Sequence, residues 1–590
     1  MLVFDEFPAV PPQTPLLDEV SGPQVLHQWS SDTLRRLADE VRAELLYQVG
    51  QHGGHLGAGL GVVELTIALH GWLNCPEDTL VFDVGHQAYP HKILTGRRHQ
   101  LSTIRTQDGL APFPCRSESD FDAFGTGHAG TAVSAALGRL IAQRMAGCRA
   151  RACAVVGDGA LSTGMTYEAL AHAGGMGADL VVVLNDNGMS ISPNTGALAE
   201  RLPSAEAPLD GDIQGFFETL GFAYHGPVDG HDMDALVATL ERLATPSGPV
   251  LLHVVTRKGA GFTRAEQDAL SKGHAYQPGS GRGGGEQRYP DLFGRWAQRT
   301  TERDPRHAVI TPAMREGAGL TDYARHFPER FFDVAIAEQH AVTLAAGMAS
   351  AGGRPTLAIY ATFLQRGMDQ LIHDVVLQRL PVLFAIDRAG IVGEDGATHQ
   401  GIFDIALLRA IPGLVIMTPA DADEFERMLD SGHDYAGPCA VRYPRGGAAP
   451  GQADAAPVVV GKGRWLRRGQ RLCLLNFGVL LPAVLEAAEA LGASVIDMRF
   501  VAPLDASLVR EAAQTHQWLA TVEDHVISGG AGSAVAEIVA GLVGDHRPTV
   551  VRLGVPDAFV EHGSRQQQLA RCGLDADGIR RQLEKVLGLA

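Results

Sequence analysis

Two short clusters of glycine, aspartate and asparagine follow strand-like runs, at a spacing that could serve a metal ion. The triplet GDG at 157–159 follows the apolar run 151–156, and NDN at 185–187 follows the apolar run 179–184. Asp158 and Asn187 each offer a hard oxygen, and Mg²⁺ prefers oxygen ligands and commonly completes its shell with phosphate. A helix that begins after the GDG would add free N–H groups for that phosphate. Taken singly, Asp158 could be a helix cap and Asn187 a turn residue, but the pair predicts a magnesium and phosphate site.

The elements that must position these clusters form one strand–helix–strand unit. The runs 151–156 and 179–184 are typical of buried strands, and 160–175, which ends in a glycine pair, is typical of a helix. Such a unit implies a parallel sheet. Both clusters then lie at the carboxyl ends of parallel strands, the edge at which open α/β sheets bind ligands.

The same alternation recurs in two further blocks of the chain. The second block has strand-like runs at 354–360 and 381–387 around a helical run at 363–380, and the third has strand-like runs at 472–478 and 493–500. Segments rich in glycine and proline at 276–290 and 446–457 separate the blocks. The predicted fold class is therefore α/β, with three domains at 1–285, 286–450 and 451–590, each built on a mainly parallel sheet flanked by helices.

Composition and charge exclude several classes of protein. The 590 residues carry a net charge of −18 without a basic run, which argues against nucleic acid as a partner, so a phosphorylated substrate would need locally placed arginines. The first residues lack the features of a signal peptide, and no run approaches the roughly 20 apolar residues that span a bilayer. Seven dispersed cysteines without a CxxC pair favour a reduced, cytoplasmic protein.

Seven longer motifs run in order through the chain: FDVGHQAYPHKILTGRR (82–98), TPAMREGAG (311–319), FDVAIAEQHAVT (332–343), IYATFLQR (359–366), IDRAGIVGEDGATHQGIFD (386–404), RYPRG (442–446) and DMRFVAPLD (497–505). Together they resemble the family of 1-deoxy-D-xylulose-5-phosphate synthases, which are thiamine-diphosphate enzymes of the transketolase-like superfamily. The resemblance covers nearly the whole chain. It implies a domain that binds diphosphate and Mg²⁺, a pyrimidine-binding domain and a C-terminal transketolase-like domain.

The resemblance also implies a reaction and its cofactors. Pyruvate and D-glyceraldehyde 3-phosphate would condense with loss of CO₂ to 1-deoxy-D-xylulose 5-phosphate, with thiamine diphosphate and Mg²⁺ as cofactors and a homodimer as the assembly. The metal would be held by Asp158, Asn187 and the main-chain carbonyl of Met189. Glu338 would hydrogen-bond the aminopyrimidine ring and promote loss of the thiazolium proton, although a first-turn acid is also favoured by the helix dipole.

The remaining site residues are implied in the same way. The expected cofactor contacts are His86, Gly127, His128, Ala129, Gly159, Ala160, Asn187, Phe262, Glu338, Tyr360 and Phe363. The expected catalytic groups are Glu338, His55, His274 and His399, since imidazoles titrate near neutrality and suit proton transfer. The expected substrate contacts are Arg366, Arg388, Asp395, His399 and Arg445, of which Arg388 and Arg445 would clamp the acceptor phosphate.

Alternatives remain at this stage. HGGH at 52–55 could bind zinc but has no third ligand at a suitable spacing, and GTGHAG at 125–130 fits a dinucleotide-binding pattern by chance. The chain departs from the family at Gly130, Gly188 and Phe262, before His274, and in a short segment after Leu198. A synthase-like enzyme with another acceptor, or a silent regulatory paralogue, is therefore an alternative, and a transketolase fits the motifs less well.

Overall fold

The structure is a computed structural model, and it describes residues 1–191, 193–202, 213–243, 247–278, 287–451, 458–543 and 547–588. The chain forms two compact units. The first comprises Met1–Arg282 with Ala335–Ala337, and the second comprises Gly283–Val334 with Glu338–Ala590. The second unit contains two sheets, and the division of the chain into three domains stays a prediction.

The first unit is built on a five-stranded parallel sheet. Its strands, numbered along the chain, are β1 (Gly54–His55), β2 (Thr79–Phe82), β3 (Ala152–Gly157), β4 (Leu180–Asp186), β5 (Ala223–Asp229), β6 (Val250–Val255) and β7 (Ala275–Tyr276). The sheet order is β2-β3-β4-β6-β5, and β1 and β7 form a separate antiparallel pair. The α-helices are Pro15–Asp18, Ser31–His52, Gly57–Gly61, Val63–Trp72, Tyr89–Lys92, Ala132–Met145, Asp158–Leu161, Gly164–Met176, Ile213–Thr219, Met233–Arg242 and Thr263–Gln267.

The predicted strand–helix–strand unit is present, with one correction. β3 and β4 are adjacent and parallel, and Gly157 is paired in register with Asn185. The helix predicted over 160–175 is two helices, because Thr163 has an extended backbone (ψ 131°) that ends the first helix and begins the second. The first helix starts at Asp158, directly at the strand end. The two clusters therefore lie side by side at the carboxyl edge of the sheet, as the sequence predicted.

The second unit contains a seven-stranded and a five-stranded sheet. Its strands are β8 (His307–Thr311), β9 (Phe331–Asp333), β10 (Arg354–Tyr360), β11 (Leu383–Asp387), β12 (Val415–Met417), β13 (Cys439–Arg442), β14 (Arg464–Arg467), β15 (Leu472–Phe477), β16 (Ser494–Asp497), β17 (Phe500–Ala502), β18 (Trp518–Val526) and β19 (Thr549–Val555). The orders are β17-β12-β13-β11-β10-β8-β9 and β14-β16-β15-β18-β19, with β17 and β14 as the antiparallel edges. The α-helices are Tyr289–Arg303, Thr321–His326, Glu338–Ser350, Ala361–Leu364, Met368–Gln370, Asp404–Leu408, Ala422–Asp434, Leu481–Leu491, Ala506–Thr515, Ala531–Ala540, Arg565–Arg571 and Ala576–Leu587.

Two element predictions in the second unit are wrong. The strand predicted over 493–500 is two strands, because Arg499 has a left-handed backbone (φ +59°) that turns the chain from β16 into β17. The helix predicted over 363–380 is a series of short helical turns with wide π-type turns at Leu371–Val376. Gly367 has non-helical dihedrals (φ −97°, ψ 12°) within that series.

The two predicted connectors are only partly described. Strand β7 (Ala275–Tyr276) ends on the first residue of the first connector and is paired with Gly54–His55, and the helix Tyr289–Arg303 begins within that connector. Residues 279–286 and 452–457 lie outside the described residues, as does most of the short segment that follows Leu198. In the described part of the chain, no helix combines the length and hydropathy that a membrane crossing requires.

Candidate cofactor and substrate site

Asp158 is the centre of the oxygen cluster in the first unit. Its Oδ2 atom accepts backbone N–H bonds from Asn187 (3.1 Å) and Gly188 (2.5 Å), and its Oδ1 atom accepts one from Gly159 (3.0 Å). The carboxyl group is buried. Burial and the neighbouring charge of Asp186 raise its pKa, against the lowering effect of the three backbone bonds. A cation at this carboxylate would offset that burial cost.

The three members of NDN separate into different roles. Asn185 accepts a hydrogen bond from Thr256 Oγ1 at 2.6 Å, and Asp186 bonds the buried His253 ring at 2.9 Å. Asn187, the last of the three, lies beyond the strand end and accepts from the backbone N–H of Met189 at 3.1 Å. Asn187 therefore lies beside Asp158, which accepts its backbone N–H, whereas Asp186 bonds a residue of the neighbouring strand β6.

The turn after β4 approaches the helix Asp158–Leu161 so closely that position 159 requires glycine. A Cβ at Gly159 would lie 2.9 Å from Ser190 Cβ and 3.2 Å from Asn194 Oδ1. The adjoining Ala160 is buried in the same helix. Backbone from both clusters thus converges at one place, around the Asp158 carboxylate that their N–H groups bind.

Lys258 is a functional candidate that the sequence reasoning missed. Its ammonium group donates to the main-chain carbonyl of Ser190 at 2.5 Å, in the turn that follows Asn187. Burial lowers its pKa to about 8, although the charges of Asp158 and Asp268 act in the opposite direction. The available signal was a single lysine between the end of β6 and the glycines of the run KGAG at 258–261. That lysine places a positive charge beside the candidate diphosphate site.

Three of the four predicted histidines of this unit come together. The ring centroid of His55 lies 6.0 Å from that of His86 and 5.6 Å from that of His274. The ring centroids of His86 and His274 are 5.3 Å apart. The Nδ1 atom of His86 is buried and, within the described residues, has no hydrogen-bond partner. Burial and the charge of Lys258 lower the pKa of His86 to about 3, so this ring stays neutral near pH 7.

The other predicted residues of the first unit lie in two loops. Gly127, His128 and Ala129 lie in the loop before Ala132–Met145, where the N–H groups of Gly130 and Ala132 bind Asp83 at 2.7 and 2.9 Å. A Cβ at Gly130 would lie 2.6 Å from Thr163 Cγ2, which accounts for glycine there. Phe262 packs in the core against Phe7, with ring centroids 4.7 Å apart. The structure thus places Phe262 in an aromatic contact with the N-terminal segment.

Glu338 begins a helix in the second unit and is a buried acid. Its side chain is 2% exposed, and its Oε2 atom has no hydrogen-bond partner among the described residues. Burial raises the pKa of the carboxyl group, partly countered by its own backbone N–H and by the charge of Arg366. A buried carboxyl with an unused oxygen fits a donor such as an aminopyrimidine.

Aromatic and basic groups lie along the carboxyl edge of β10 and β11. The rings of Tyr360 and Phe363 stack with centroids 5.7 Å apart, and Phe363 meets the His399 ring edge-on at 5.6 Å. The guanidinium of Arg388 lies 4.0 Å from the centroid of the Tyr360 ring. Arg388 has a left-handed backbone (φ +55°), and its N–H donates to Asp387 at 2.6 Å. The strained residue is held by a carboxylate on one side and by an aromatic face on the other.

Arg445 and Asp395 complete the predicted substrate contacts. Arg445 donates to Glu394 Oε2 at 2.9 Å and to the carbonyl of Val392 at 3.3 Å. Although burial lowers the pKa of Arg388, the neighbouring Tyr360, Asp387, Asp395 and Glu394 together raise it. Arg388, Arg445 and Asp395 are therefore brought to one place in the second unit.

The residues of each unit fit the expected cofactor groups. In the first unit, Asp158, Asn187, the carbonyl of Met189 and Lys258 would hold a magnesium diphosphate. In the second unit, Glu338 would hold the aminopyrimidine with Tyr360 and Phe363 beside it. The fit rests on the buried Asp158 carboxylate, on the unused Oε2 of Glu338 and on the close approach at Gly159.

Comparison with known proteins shows which family the chain is similar to. The family model described as 1-deoxy-D-xylulose-5-phosphate synthase matches residues 17–210 and 209–256. The transketolase pyrimidine-binding domain matches 286–449 and the transketolase C-terminal domain matches 461–579. Curated 1-deoxy-D-xylulose-5-phosphate synthases are similar along their length: that of Pseudomonas syringae pv. tomato is 50% identical over 628 residues (99% of each chain) and that of Pseudomonas fluorescens is 51% identical over 632 residues (100% of this chain, 99% of the relative).

The fold and the two groups of residues define an enzyme of the transketolase type, a thiamine-diphosphate-dependent transferase. Within that class the full-length identity is decisive. The chain belongs to the 1-deoxy-D-xylulose-5-phosphate synthase family. The predicted family, fold class and enzyme class are thereby confirmed.

The predicted short segment has a counterpart in these comparisons. The two stretches of the family match meet at residues 209–210, and the alignment with the Pseudomonas syringae relative spans 628 residues against 590 in this chain. The chain is therefore shorter than its relatives within the aligned range.

Proposed function

We propose that the chain condenses pyruvate with D-glyceraldehyde 3-phosphate, with release of CO₂, to give 1-deoxy-D-xylulose 5-phosphate. The observation that carries the acceptor assignment is the meeting of Arg388, Arg445 and Asp395 in one unit with Glu338. Two guanidinium groups suit a phosphate, and a carboxylate suits an acceptor hydroxyl. This set answers the requirement for local arginines in a chain with a net charge of −18.

The cofactors proposed are thiamine diphosphate and Mg²⁺. When bound, thiamine diphosphate supplies the nucleophilic carbon and the electron sink for decarboxylation and carboligation. Asp158, Asn187 and the Met189 carbonyl hold the metal, and Lys258 neutralises diphosphate charge. The further cofactor contacts proposed in the first unit are Gly127, His128, Ala129, Gly159 and Ala160.

The side chains of the two units have distinct proposed roles. Glu338 holds a proton at the aminopyrimidine, while Tyr360 and Phe363 provide its aromatic contact. The histidines that cluster in the first unit are His55, His86 and His274, and the histidine of the second unit is His399. Of these, the proposed proton carriers at the substrates are His55, His274 and His399. Arg366 lies near Glu338, where it can orient the carboxylate of pyruvate.

We further propose a cytoplasmic homodimer. All seven cysteines are free thiols, and four of them are buried, which supports a reducing compartment. Exposed apolar side chains at Ile372 and Leu377, on the turns after Arg366, support an interface with a second copy.

Product analysis tests the proposed function. Purified protein with thiamine diphosphate, Mg²⁺ and pyruvate is assayed by mass spectrometry with and without D-glyceraldehyde 3-phosphate. A five-carbon deoxyketose phosphate together with CO₂, formed when both substrates are present, is the expected result. Release of CO₂ without that product would favour a synthase-like enzyme with another acceptor, and cofactor binding without either product would favour the silent paralogue.

A further inference from the structure

Arg445 forms an ion pair with Glu394, which belongs to the same loop as Asp395. Arg445 Nη1 lies 2.9 Å from Glu394 Oε2, and the two side chains are 35% and 34% exposed. An ion pair this open to solvent is weak, and its partners exchange readily with other ions. The guanidinium expected to bind the acceptor phosphate is therefore engaged by an exchangeable internal anion.

The same carboxylate also acts on the second arginine of the clamp. Glu394 is among the negative groups that raise the pKa of Arg388, after burial and together with Tyr360, Asp387 and Asp395. One side chain thus lies within electrostatic reach of both guanidinium groups. An acceptor phosphate that binds Arg388 and Arg445 would meet this negative charge.

The neighbouring Arg565 forms an ion pair with a buried carboxylate, in contrast with the more exposed pair of Arg445. Arg565 lines a cavity of about 450 Å³ together with Arg445, and it donates to Asp524 Oδ2 at 2.7 Å. Asp524 is 1% exposed and also accepts from the N–H of Ile391 at 2.9 Å. That carboxylate is locked by burial and by a second bond, whereas Glu394 is one-third exposed. The contrast identifies Glu394 as the movable partner.

We propose that Glu394 is an internal counter-ion of the phosphate clamp, displaced from Arg445 when a phosphorylated acceptor binds, and that it thereby sets the affinity for that acceptor. The inference rests on the proposed function, because it takes Arg388 and Arg445 as the phosphate site. A phosphate carries more charge and more acceptor oxygens than one carboxylate and can bind two arginine forks at once. A neutral acceptor does not bond the two guanidinium groups and leaves the Glu394–Arg445 pair intact, so Glu394 lowers the affinity for phosphorylated acceptors alone.

The test is the variant Glu394→Gln, which removes the charge and keeps the shape. The KM for D-glyceraldehyde 3-phosphate is expected to fall about three- to fivefold, the effect of removing one exposed ion pair. The KM for unphosphorylated D-glyceraldehyde and the KM for pyruvate are expected to stay unchanged. Inorganic phosphate, titrated by calorimetry into the holoenzyme, should bind more tightly by the same factor.

Glu426→Gln is the matched control. Glu426 is 28% exposed and pairs with Arg299 at 2.8 Å, in the same unit but with a different arginine. It should leave all of these constants at their wild-type values. A Glu394→Gln variant with an unchanged or raised KM for the phosphorylated acceptor, or with equal changes for both acceptors, would overturn the proposal.

Failure of the proposed function gives a different pattern. In that case wild-type protein forms no deoxyketose phosphate at all, and the phosphate titration still decides the role of Glu394. Tighter phosphate binding by Glu394→Gln supports the counter-ion, and identical binding by the variant and the wild type refutes it.

Discussion

At the residue scale, the candidate site depends on charged groups that the fold buries at a cost. Asp158 and Glu338 both have raised pKa values, chiefly because they are buried, and Lys258 has a lowered one for the same reason. Such groups are expensive to bury unless a partner compensates them, and perturbed groups concentrate at functional sites. The physical interpretation is that ligands supply the missing partners.

Glu338 is expected to serve turnover more than binding. Glu338→Ala should lower the rate of product formation by about 10²–10⁴, the usual contribution of a positioned acid or base. Thiamine diphosphate with Mg²⁺ should still raise the thermal midpoint of the variant, because the metal and diphosphate contacts lie elsewhere in the chain. Undiminished turnover in Glu338→Ala would contradict the assigned role.

Lys258 is expected to make cofactor affinity depend on pH. Burial lowers its pKa to about 8, so the folded chain loses this positive charge as the pH rises through 8 and keeps it below. Thiamine diphosphate should therefore bind more weakly at pH 9 than at pH 7. Lys258→Arg should reduce that difference, since a guanidinium stays charged, and titration calorimetry at both pH values measures it. Equal pH dependence in the two proteins would count against Lys258.

At the element scale, distant segments hold the loops that carry the site. Arg42, on the helix Ser31–His52, donates to the carbonyl of Ala260 at 3.2 Å and to Glu64 Oε1 at 2.6 Å. Glu64 also bonds His231, whose Nε2 accepts from the N–H of Arg257 at 3.0 Å. This buried group holds the turn that contains Lys258 at both of its ends.

Removing the acid of that group is expected to destabilise the first unit strongly. Glu64→Gln would leave the guanidinium of Arg42 (0% exposed) without its closest charge partner, and such losses cost about 3–5 kcal/mol. The thermal midpoint should fall, as measured by calorimetry. As a control, Asp32→Asn removes the exposed pair with Arg35 and should change the midpoint very little.

The same group gives the first unit a defined response to acid. Burial would raise the pKa of Glu64, but the hydrogen bond from His231 and the charge of Arg42 lower it to about 2. A lowered pKa adds stability above the ordinary value of 4.5, and that stability is lost as the pH falls towards 2. The difference in midpoint between wild type and Glu64→Gln should therefore shrink as the pH is lowered from 5 to 2.

In the second unit, the loop after Arg388 is bound by three side chains from two other segments. The carbonyls of Ile391, Val392 and Gly393 accept from Arg565, Arg445 and Gln568 at 2.9, 3.3 and 2.9 Å. Arg565 and Gln568 belong to the C-terminal block. The block that carries none of the predicted site residues thus positions the loop that carries Asp395 and His399.

At the scale of the whole molecule, the blocks predicted from the sequence are interwoven within the second unit. Strand β17, from the third block, pairs with β12 and forms the edge of the seven-stranded sheet. The third block therefore both completes the sheet of the second block and anchors its substrate loop. Loss of the third block would expose the β12 edge, which favours aggregation.

If the proposed homodimer uses the surface around Leu377, a charge introduced at that position should weaken the association of the two copies. Leu377 is 72% exposed, and Leu377→Asp should shift the protein from dimer to monomer in sedimentation equilibrium, because a charge opposes apolar contact. Val543 is 100% exposed at another position, and Val543→Asp should leave the dimer intact. A dimer that persists in Leu377→Asp would place the interface elsewhere.

The sequence by itself determined the features that depend on local pattern. Runs of apolar residues with a glycine turn identified β3 and β4, and the parallel geometry of such units places Asp158 and Asn187 at one edge. The start of a helix at Glu338 is likewise local. The family motifs, read in order, indicated the enzyme class without any knowledge of contacts.

Only the tertiary structure decided which distant groups meet. The bond of Lys258 to Ser190, the engagement of Arg445 by Glu394 and the pairing of β17 with β12 join residues from separate elements. The turn at Arg499 and the break at Thr163 also escaped the sequence, since both depend on backbone dihedrals that no periodicity reveals. Sequence pattern reports the local preference of the chain, whereas burial and charge pairing are properties of packing, because they arise when remote segments exclude water together.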